Sequence, residues 1–484
     1  MEYSIEKQHK KGKLHAIERI YCLLDKDSFV EIGQKITNAE KNYPYDGVIT
    51  GYGYIDGILV FIYAQDFTIH GGTVGIKHAE KIANIIEKAI KNKAPIIGIN
   101  DSGGARIQEG VNSLAGYGKI FKLNTMASGY IPQISIIAGS CAGGAVYSPG
   151  ITDFIFVIRN ISSMYVTGPK VIEEVTGEKC SMDELGGIDV HSKKSGVAHF
   201  ICEYEKECFK KVRTLIKILS SKSVYKMDNI SYRKKHINNI NSIVPTDTRK
   251  IYDMHDLIDA IVDYNSFFEV QKEFAKNVVI GFGRICDIAI GIVSNQPNYY
   301  AGVLDCDGSD KAARFVRFCD SFEIPLITLV DVPGFLPSKV EEEKGIIRHG
   351  AKLLFAYAEA NVPKITVVIR KAYGGAYIAM GSKTLGADIV FAWPDTEIAV
   401  MGAAAAVDIL YCHETEVNNS VFRQKMEEEY RHKYIKGDLA LEEGYVDKRI
   451  QPKETRKEIF DALKQLGKKK EFIHIPKKHT NIPL

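Results

Sequence analysis

The 484-residue sequence predicts an α/β protein made of two tandem domains. Three observations lead there. Short apolar runs, several led by proline, alternate with stretches of helical periodicity, the pattern of buried strands joined by helices. Two of those runs end in a glycine pair, in CAGGAVYSP (Cys141–Pro149) and in RKAYGGAYIAM (Arg370–Met380). The pattern also repeats. Pro95 and Asp101 return as Pro325 and Asp331, 230 residues on, and Gly51 and Gly53 return as Gly281 and Gly283 at the same interval. Pro132 and Gly143-Gly144 return as Pro363 and Gly374-Gly375, 231 residues on. TDFIFV (Thr152–Val157) is echoed by ADIVFA (Ala387–Ala392). One folding unit has been used twice.

In chain order, Glu6–Gly33 reads as one amphipathic helix on Leu14, Ile17, Ile20, Leu23 and Leu24, with a capped exit. Gly47–Asp66 alternates around Asp56-Gly57, a hairpin signal. Its Gly51, Gly53 and Gly57 imitate a dinucleotide fingerprint, but an apolar β-like run follows in place of a helix, so that reading is rejected. A helix over His78–Lys91 carries Ile82, Ile85, Ile86 and Ile90 on one side. Ile131–Tyr147 then reads as a buried strand, a turn of Gly and Ala, and a helix start that soon meets Pro149.

Glycines there let backbone N–H groups approach a ligand, and a helix start adds unpaired donors. Two such N–H groups aimed at one carbonyl oxygen make an oxyanion hole, with each donor contributing about 2.7–4 kcal/mol. The alternative is a tight strand–helix packing contact. The charge-free stretch Leu123–Thr152 is long enough to cross a bilayer, but its five glycines and two prolines predict a buried core segment. Ser220–Lys250 reads as a polar, basic linker, which puts the domains at 1–232 and 240–484, and Lys468–Leu484 as a solvated tail.

Composition excludes several classes. A net charge of +3 is too small to point to nucleic acid or an anionic membrane. Nine scattered cysteines without a CxxC pair, and no secretory signal, suggest a reducing cytoplasm and no zinc site. There is no Walker A motif, HExxH or GxSxG. The two glycine turns therefore stand without a rival side-chain set. Two oxyanion holes acting on two carbonyls are what a group transfer between two carbonyl partners requires. Asp101 and Asp331, each following a buried strand, read as helix caps. Arg106 either attracts phosphate or pairs with Glu109. His349 reads as structural or as a ligand contact, and Glu341–Glu343 as a solvated turn. The Asn418-Asn419-Ser420 sequon carries no meaning in a cytoplasmic chain.

The ordered series NDSGGARIQEG, SLAGYG, CAGGAVYSP, TGPKVIEEVTGE, KSGVAHF, DKAARFVRFCD, LVDVPGFLP, GIIRHGAK, RKAYGGAYIAM and FAWPDTEIAVMGA, closed by PKKHTNIPL, resembles the carboxyltransferase subunits of biotin-dependent acyl-CoA carboxylases and decarboxylases. The resemblance covers nearly the whole chain. It implies two crotonase-like domains and a dimer-built homo-oligomer, commonly a hexamer, with each active site between the N-domain of one subunit and the C-domain of another. It implies that carboxybiotin on a separate carrier protein gives CO2 to the enolate of an acyl-CoA. By the same resemblance the N–H groups of Gly143 and Gly144 hold the thioester enolate oxygen, and those of Gly375 and Ala376 hold the ureido oxygen of biotin. Ala142, Gly374, Arg106 and Ile378 are placed by it beside the substrates, Ile378 at the acyl pocket. No metal is implied.

Lys436-Gly437-Asp438 stands where many relatives carry Asn-Pro-Tyr, and there is neither a Met-Lys-Met biotinylation site nor an ATP-grasp domain. The partners expected are thus a biotin carboxyl carrier protein and a biotin carboxylase subunit, or else the membrane subunit of a sodium-pumping decarboxylase. A CoA-binding scaffold or a hydratase on the same fold is the reading from another class. Propionyl-CoA and its carboxylated form are the favoured substrates.

Overall fold

In the computed structural model of this protein the described residues are 4–37, 43–221, 231–234, 240–413, 419–435, 437–467, 469 and 479–484. The chain divides into two compact units, Met1–Ser220 and Ser221–Leu484.

The first unit is one mixed sheet of eight strands covered by helices. They are β1 (Val30–Glu31), β2 (Val48–Ile55), β3 (Ile58–Gln65), β4 (Ile96–Ser102), β5 (Gln133–Ala142), β6 (Phe154–Ile158), β7 (Ser163–Tyr165) and β8 (Phe200–Cys202). Their order is β1-β2-β3-β4-β5-β6-β8, with β7 pairing β5. The β2–β3 hairpin is antiparallel and every pairing from β3 onward is parallel. Every residue of β4 is buried, as a strand covered on both faces must be. The helices Ile76–Asn92 and Val111–Ala127 pack together over one face, while Ala16–Leu23 and Glu205–Leu219 pack together elsewhere on the sheet. Ile82, Ile85 and Ile86 are buried in the first core, and Ile90 packs partly buried against it.

The second unit repeats this strand for strand. Its strands are β9 (Phe268–Val270), β10 (Val278–Ile285), β11 (Ile288–Asn295), β12 (Leu326–Val332), β13 (Lys364–Tyr373), β14 (Ile389–Ala392), β15 (Glu397–Ala399) and β16 (Lys448–Arg449). The order is β16-β14-β13-β12-β11-β10-β9, with β15 on β13. Both hairpins close through two residues of positive φ, Asp56 (49°) and Gly57 (77°) in one, Cys286 (52°) and Asp287 (68°) in the other. This is the turn whose twist matches that of its strands. A carboxylate catches both turn N–H groups: Asp25 at 3.1 and 3.0 Å, Asp263 at 3.1 and 3.0 Å.

Three expectations need correction. The N-terminal helix is two helices, Ile5–Lys10 and Ala16–Leu23, because Gly12 turns to φ 73° and His15 starts the second with a capping box to Glu18. The linker contributes structure to the second unit: Ile240 and Val244 are buried in its core, Tyr232 packs against Phe460, and Arg233 pairs with Asp287. The division accordingly falls at Ser220/Ser221, ahead of the expected 232 and 240. Glu341 is no solvated turn residue. It lies buried in the helix Lys339–Lys344 and accepts the Cys306 N–H at 2.9 Å. Residues 222–230, 235–239, Lys436, Asn418 and most of the Lys-rich end lie outside the described residues. The stretch Leu123–Thr152 is helix end, strand and turn of the core, and among the described residues no helix is long and apolar enough to cross a membrane.

Candidate functional site

β5 and β13 are the longest parallel strands, and each ends at a glycine pair. The pairing of β7 on Ser140–Ala142 and of β15 on Lys371–Tyr373 sets the correspondence between the halves. Ala142 matches Tyr373, Gly143 matches Gly374, Gly144 matches Gly375, and Ala145 matches Ala376. Gly143 and Gly374 both take φ near +60° (60° and 59°), the left-handed region that excludes most side chains. After them the chain enters a 3₁₀ turn over Gly143–Val146, and the helix Gly374–Ala379 in the second unit. The first N–H groups of such a start have no acceptor within the helix.

By this register, Gly143/Gly144 and Gly375/Ala376 are one residue out of step with each other. Gly144 and Gly375 are the members the two expected pairs have in common. Their surroundings differ. A Cβ on Gly144 would lie 3.3 Å from the Tyr117 ring, whereas one on Gly375 would meet nothing nearer than Phe335 at 3.7 Å. A Cβ on Gly374 would stand 3.1 Å from the Val400 carbonyl.

The other candidate residues take varied places. Ala142 ends β5. Arg106 is buried, with Nη1 at 2.6 Å from Asp46 and 2.9 Å from Glu109, and Nη2 donating to the Thr73 carbonyl. Ile378 is 42% exposed, and its match Tyr147 is 50% exposed, so neither packs its helix onto the sheet. His349 pairs with Asp310 at 2.9 Å, and Lys352 shares that carboxylate.

Asp101 and Asp331 do not cap helices. Each is fully buried and holds cations beneath its own turn: Lys13 and Arg19 in the first unit, Arg370 in the second. Sequence reasoning missed these three cations, although Gly139 and Arg370 standing at the same register was a signal. Tyr373 was missed too. Burial and the Glu397 carboxylate that accepts its phenol proton push that phenol well above the tyrosine range. Burial likewise pushes the Cys141 thiol up, so it stays protonated just before the first turn.

Comparison with known proteins assigns the class. Transcarboxylase 12S, solved as a hexamer with hydrolysed methylmalonyl-coenzyme A bound, superposes with a TM-score of 0.93 at 44% identity over 99% of this chain and 95% of its own. The two-unit fold with its paired turns is therefore that of a carboxyltransferase of the crotonase-like kind. The chain belongs to the carboxyl transferase domain family, whose model matches residues 7–482. Its relatives include the carboxyltransferase subunit of propionyl-CoA carboxylase from Haloferax mediterranei, 50% identical over 100% of this chain and 96% of the relative. They also include methylmalonyl-CoA decarboxylase subunit alpha from Veillonella parvula, 50% identical with the same coverage. The chain is a biotin-dependent acyl-CoA carboxyltransferase.

Proposed function

We propose that the chain moves a carboxyl group between carboxybiotin on a separate carrier protein and the α-carbon of propionyl-CoA, or runs the same transfer back from methylmalonyl-CoA. The observation that supports it is the duplicated glycine turn in a chain about half identical, end to end, to subunits named for those two substrates. The first unit (Met1–Ser220) takes the acyl-CoA and the second (Ser221–Leu484) takes the biotin. Gly143 and Gly144 hold the thioester oxygen as charge develops on it. Gly375 and Ala376 hold the ureido oxygen, and the absence of any close approach at Gly375, where a Cβ would only touch Phe335 at 3.7 Å, fits that role. Carboxybiotin supplies the carboxyl group. The protein supplies donors fixed before the charge appears, which is where such stabilisation is strongest. Ala142 and Gly374 adjoin these donors, and exposed Ile378 forms an apolar wall for the acyl group. Arg106 is engaged with Asp46 and Glu109 and is left out of the ligand set.

A biotin carboxyl carrier protein, a biotin carboxylase or a membrane decarboxylase subunit, and a hexameric, cytoplasmic assembly complete the reading. The test supplies the purified chain with carboxylated carrier and propionyl-CoA, with and without a chelator. Methylmalonyl-CoA that forms only with the carrier, and equally with chelator present, is the expected result. Its absence from a correctly assembled protein overturns the reading.

A further inference from the structure

Each glycine turn rests on a buried ion pair whose carboxylate stands at the same register in both units, while its cations come from different places. In the first unit the pairing of β4 with β5 shifts between Asn100–Ile137 and Ser102–Cys141, so β5 bulges over Ala138–Ser140 just before Gly143. The Asp101 carboxylate lies directly against that bulge: a Cβ on Gly139 would be 2.0 Å from Oδ1. Its counter-charges come from the N-terminal segment. Lys13 Nζ is 2.7 Å from Oδ2 and Arg19 Nη1 is 3.1 Å from it. Arg19 also donates from Nη2 to the Ala138 carbonyl at 2.7 Å, and from Nε to Glu205 at 2.6 Å. Here the cations reach into the bulge from outside the strand.

The second unit shows the same shift, between Val330–Val368 and Val332–Ala372, and the same buried carboxylate, Asp331. There the cation is in the bulge itself. Arg370, at the register of Gly139, donates from Nε to Asp331 at 2.9 Å, and the Lys371 N–H donates to the other oxygen at 3.2 Å. Arg370 Nη1 then reaches out to the carbonyls of Pro245, Asp247 and Lys250 at 3.4, 3.2 and 2.8 Å. Both arrangements tie the bulge to the segment leading into the unit's first long helix. A buried charge that loses a partner is strongly destabilised, and Lys13 with Arg19, and Arg370, are the cations these aspartates hold.

We propose that Lys13 and Arg19 are positioning residues for the Gly143 turn, and Arg370 for the Gly374 turn, each fixing through its aspartate the direction in which the turn's N–H groups point. The proposal rests on the reading of those turns as oxyanion donors. Stabilisation of developing charge depends on donor direction at the level of about 1 Å, so a loosened turn loses kcat while substrate binding elsewhere persists.

The test uses the full-length chain with Lys13→Met, Lys13→Arg and Arg370→Met, and Lys13→Gln in place of Lys13→Met if the latter does not assemble. Amide hydrogen exchange of the peptides spanning β5 and β13 with their turns is measured without substrate. Then kcat and KM are measured with carboxylated carrier and propionyl-CoA. Lys13→Met speeds exchange at the first turn alone and lowers kcat about 10- to 100-fold with KM for propionyl-CoA within about twofold. Lys13→Arg restores both, and Arg370→Met acts on the second turn alone. Unchanged exchange at the turns in assembled variants overturns the proposal. Faster exchange at a turn with kcat intact overturns the oxyanion reading beneath it, and the proposal with it.

Discussion

Gly143 and Gly374 hold φ values of 60° and 59°, where a branched side chain is strained whatever space surrounds it. Gly143→Val and Gly374→Val should therefore misalign the donor N–H groups of their turns, Gly143 and Gly144 in one and Gly375 and Ala376 in the other, and cost about 10²–10³ in kcat. Near wild-type turnover in both, with assembly intact, would show that the turns are packing devices. Gly375 is a different case: its φ is not positive and its Cβ would have ordinary room, so an effect there would come from a side chain occupying the oxygen's place. Ile378 gives a second prediction. One methylene of fit is worth about 1–3 kcal/mol, so Ile378→Asp and Ile378→Ala should change the ratios of kcat/KM among acetyl-, propionyl- and butyryl-CoA. Identical ratios in assembled variants would remove it from specificity. The glycine pairs were legible in the sequence because their spacing repeats. Asp101 and Asp331 were visible only as residues after strands, since the two cations on Asp101, Lys13 and Arg19, lie far off along the chain and a carboxylate does not announce its partner.

At the scale of single elements, the β2–β3 hairpin and the helix Ile76–Asn92 follow from Asp56-Gly57 and the isoleucine spacing, both local signals. The break at Gly12 did not, because the apolar spacing begins only beyond it, at Leu14, and His15 and Glu18 cap a fresh start there. Tyr232, Ile240 and Val244 were read as linker because their polar neighbours outnumber them, and their burial depends on a core formed much later in the chain. The helix Met254–Ile261 shows how an element can carry pH dependence. On it, His255 lies 3.1 Å from Glu269 and 2.6 Å from Asp253. Glu269 first, then Asp253, outweigh burial and raise the imidazole to about 9. The unfolded chain releases that proton near 6.5. The stabilisation is thus complete below about pH 6.5 and lost as pH rises through 9. Melting temperature between pH 6 and 10 should fall less steeply in His255→Gln than in wild type, and parallel curves would refute the linkage.

Across the whole molecule, two copies of one topology have kept their architecture and the buried aspartate under each turn, and have changed where its cation comes from. What they have kept includes a lysine at one register. Lys81 donates to the Val48 carbonyl, and its match Lys311 donates to the carbonyls of Phe274, Ala275 and Val278. Burial brings these amines down to about 8 and about 7. Amines of that basicity are the ones most prone to attack a thioester, since near neutral pH a fair fraction of them carries no proton. A protein bathed in activated acyl groups would damage its own hairpins if those nitrogens could be reached. With the two residues 2% and 3% exposed, they cannot be. Peptide mapping after long incubation with propionyl-CoA should find N-propionyl groups on surface lysines and none on Lys81 or Lys311. The same incubation in denaturant, which exposes both amines, should mark them like the rest. In both halves, folding keeps the same lysine out of reach of such chemistry.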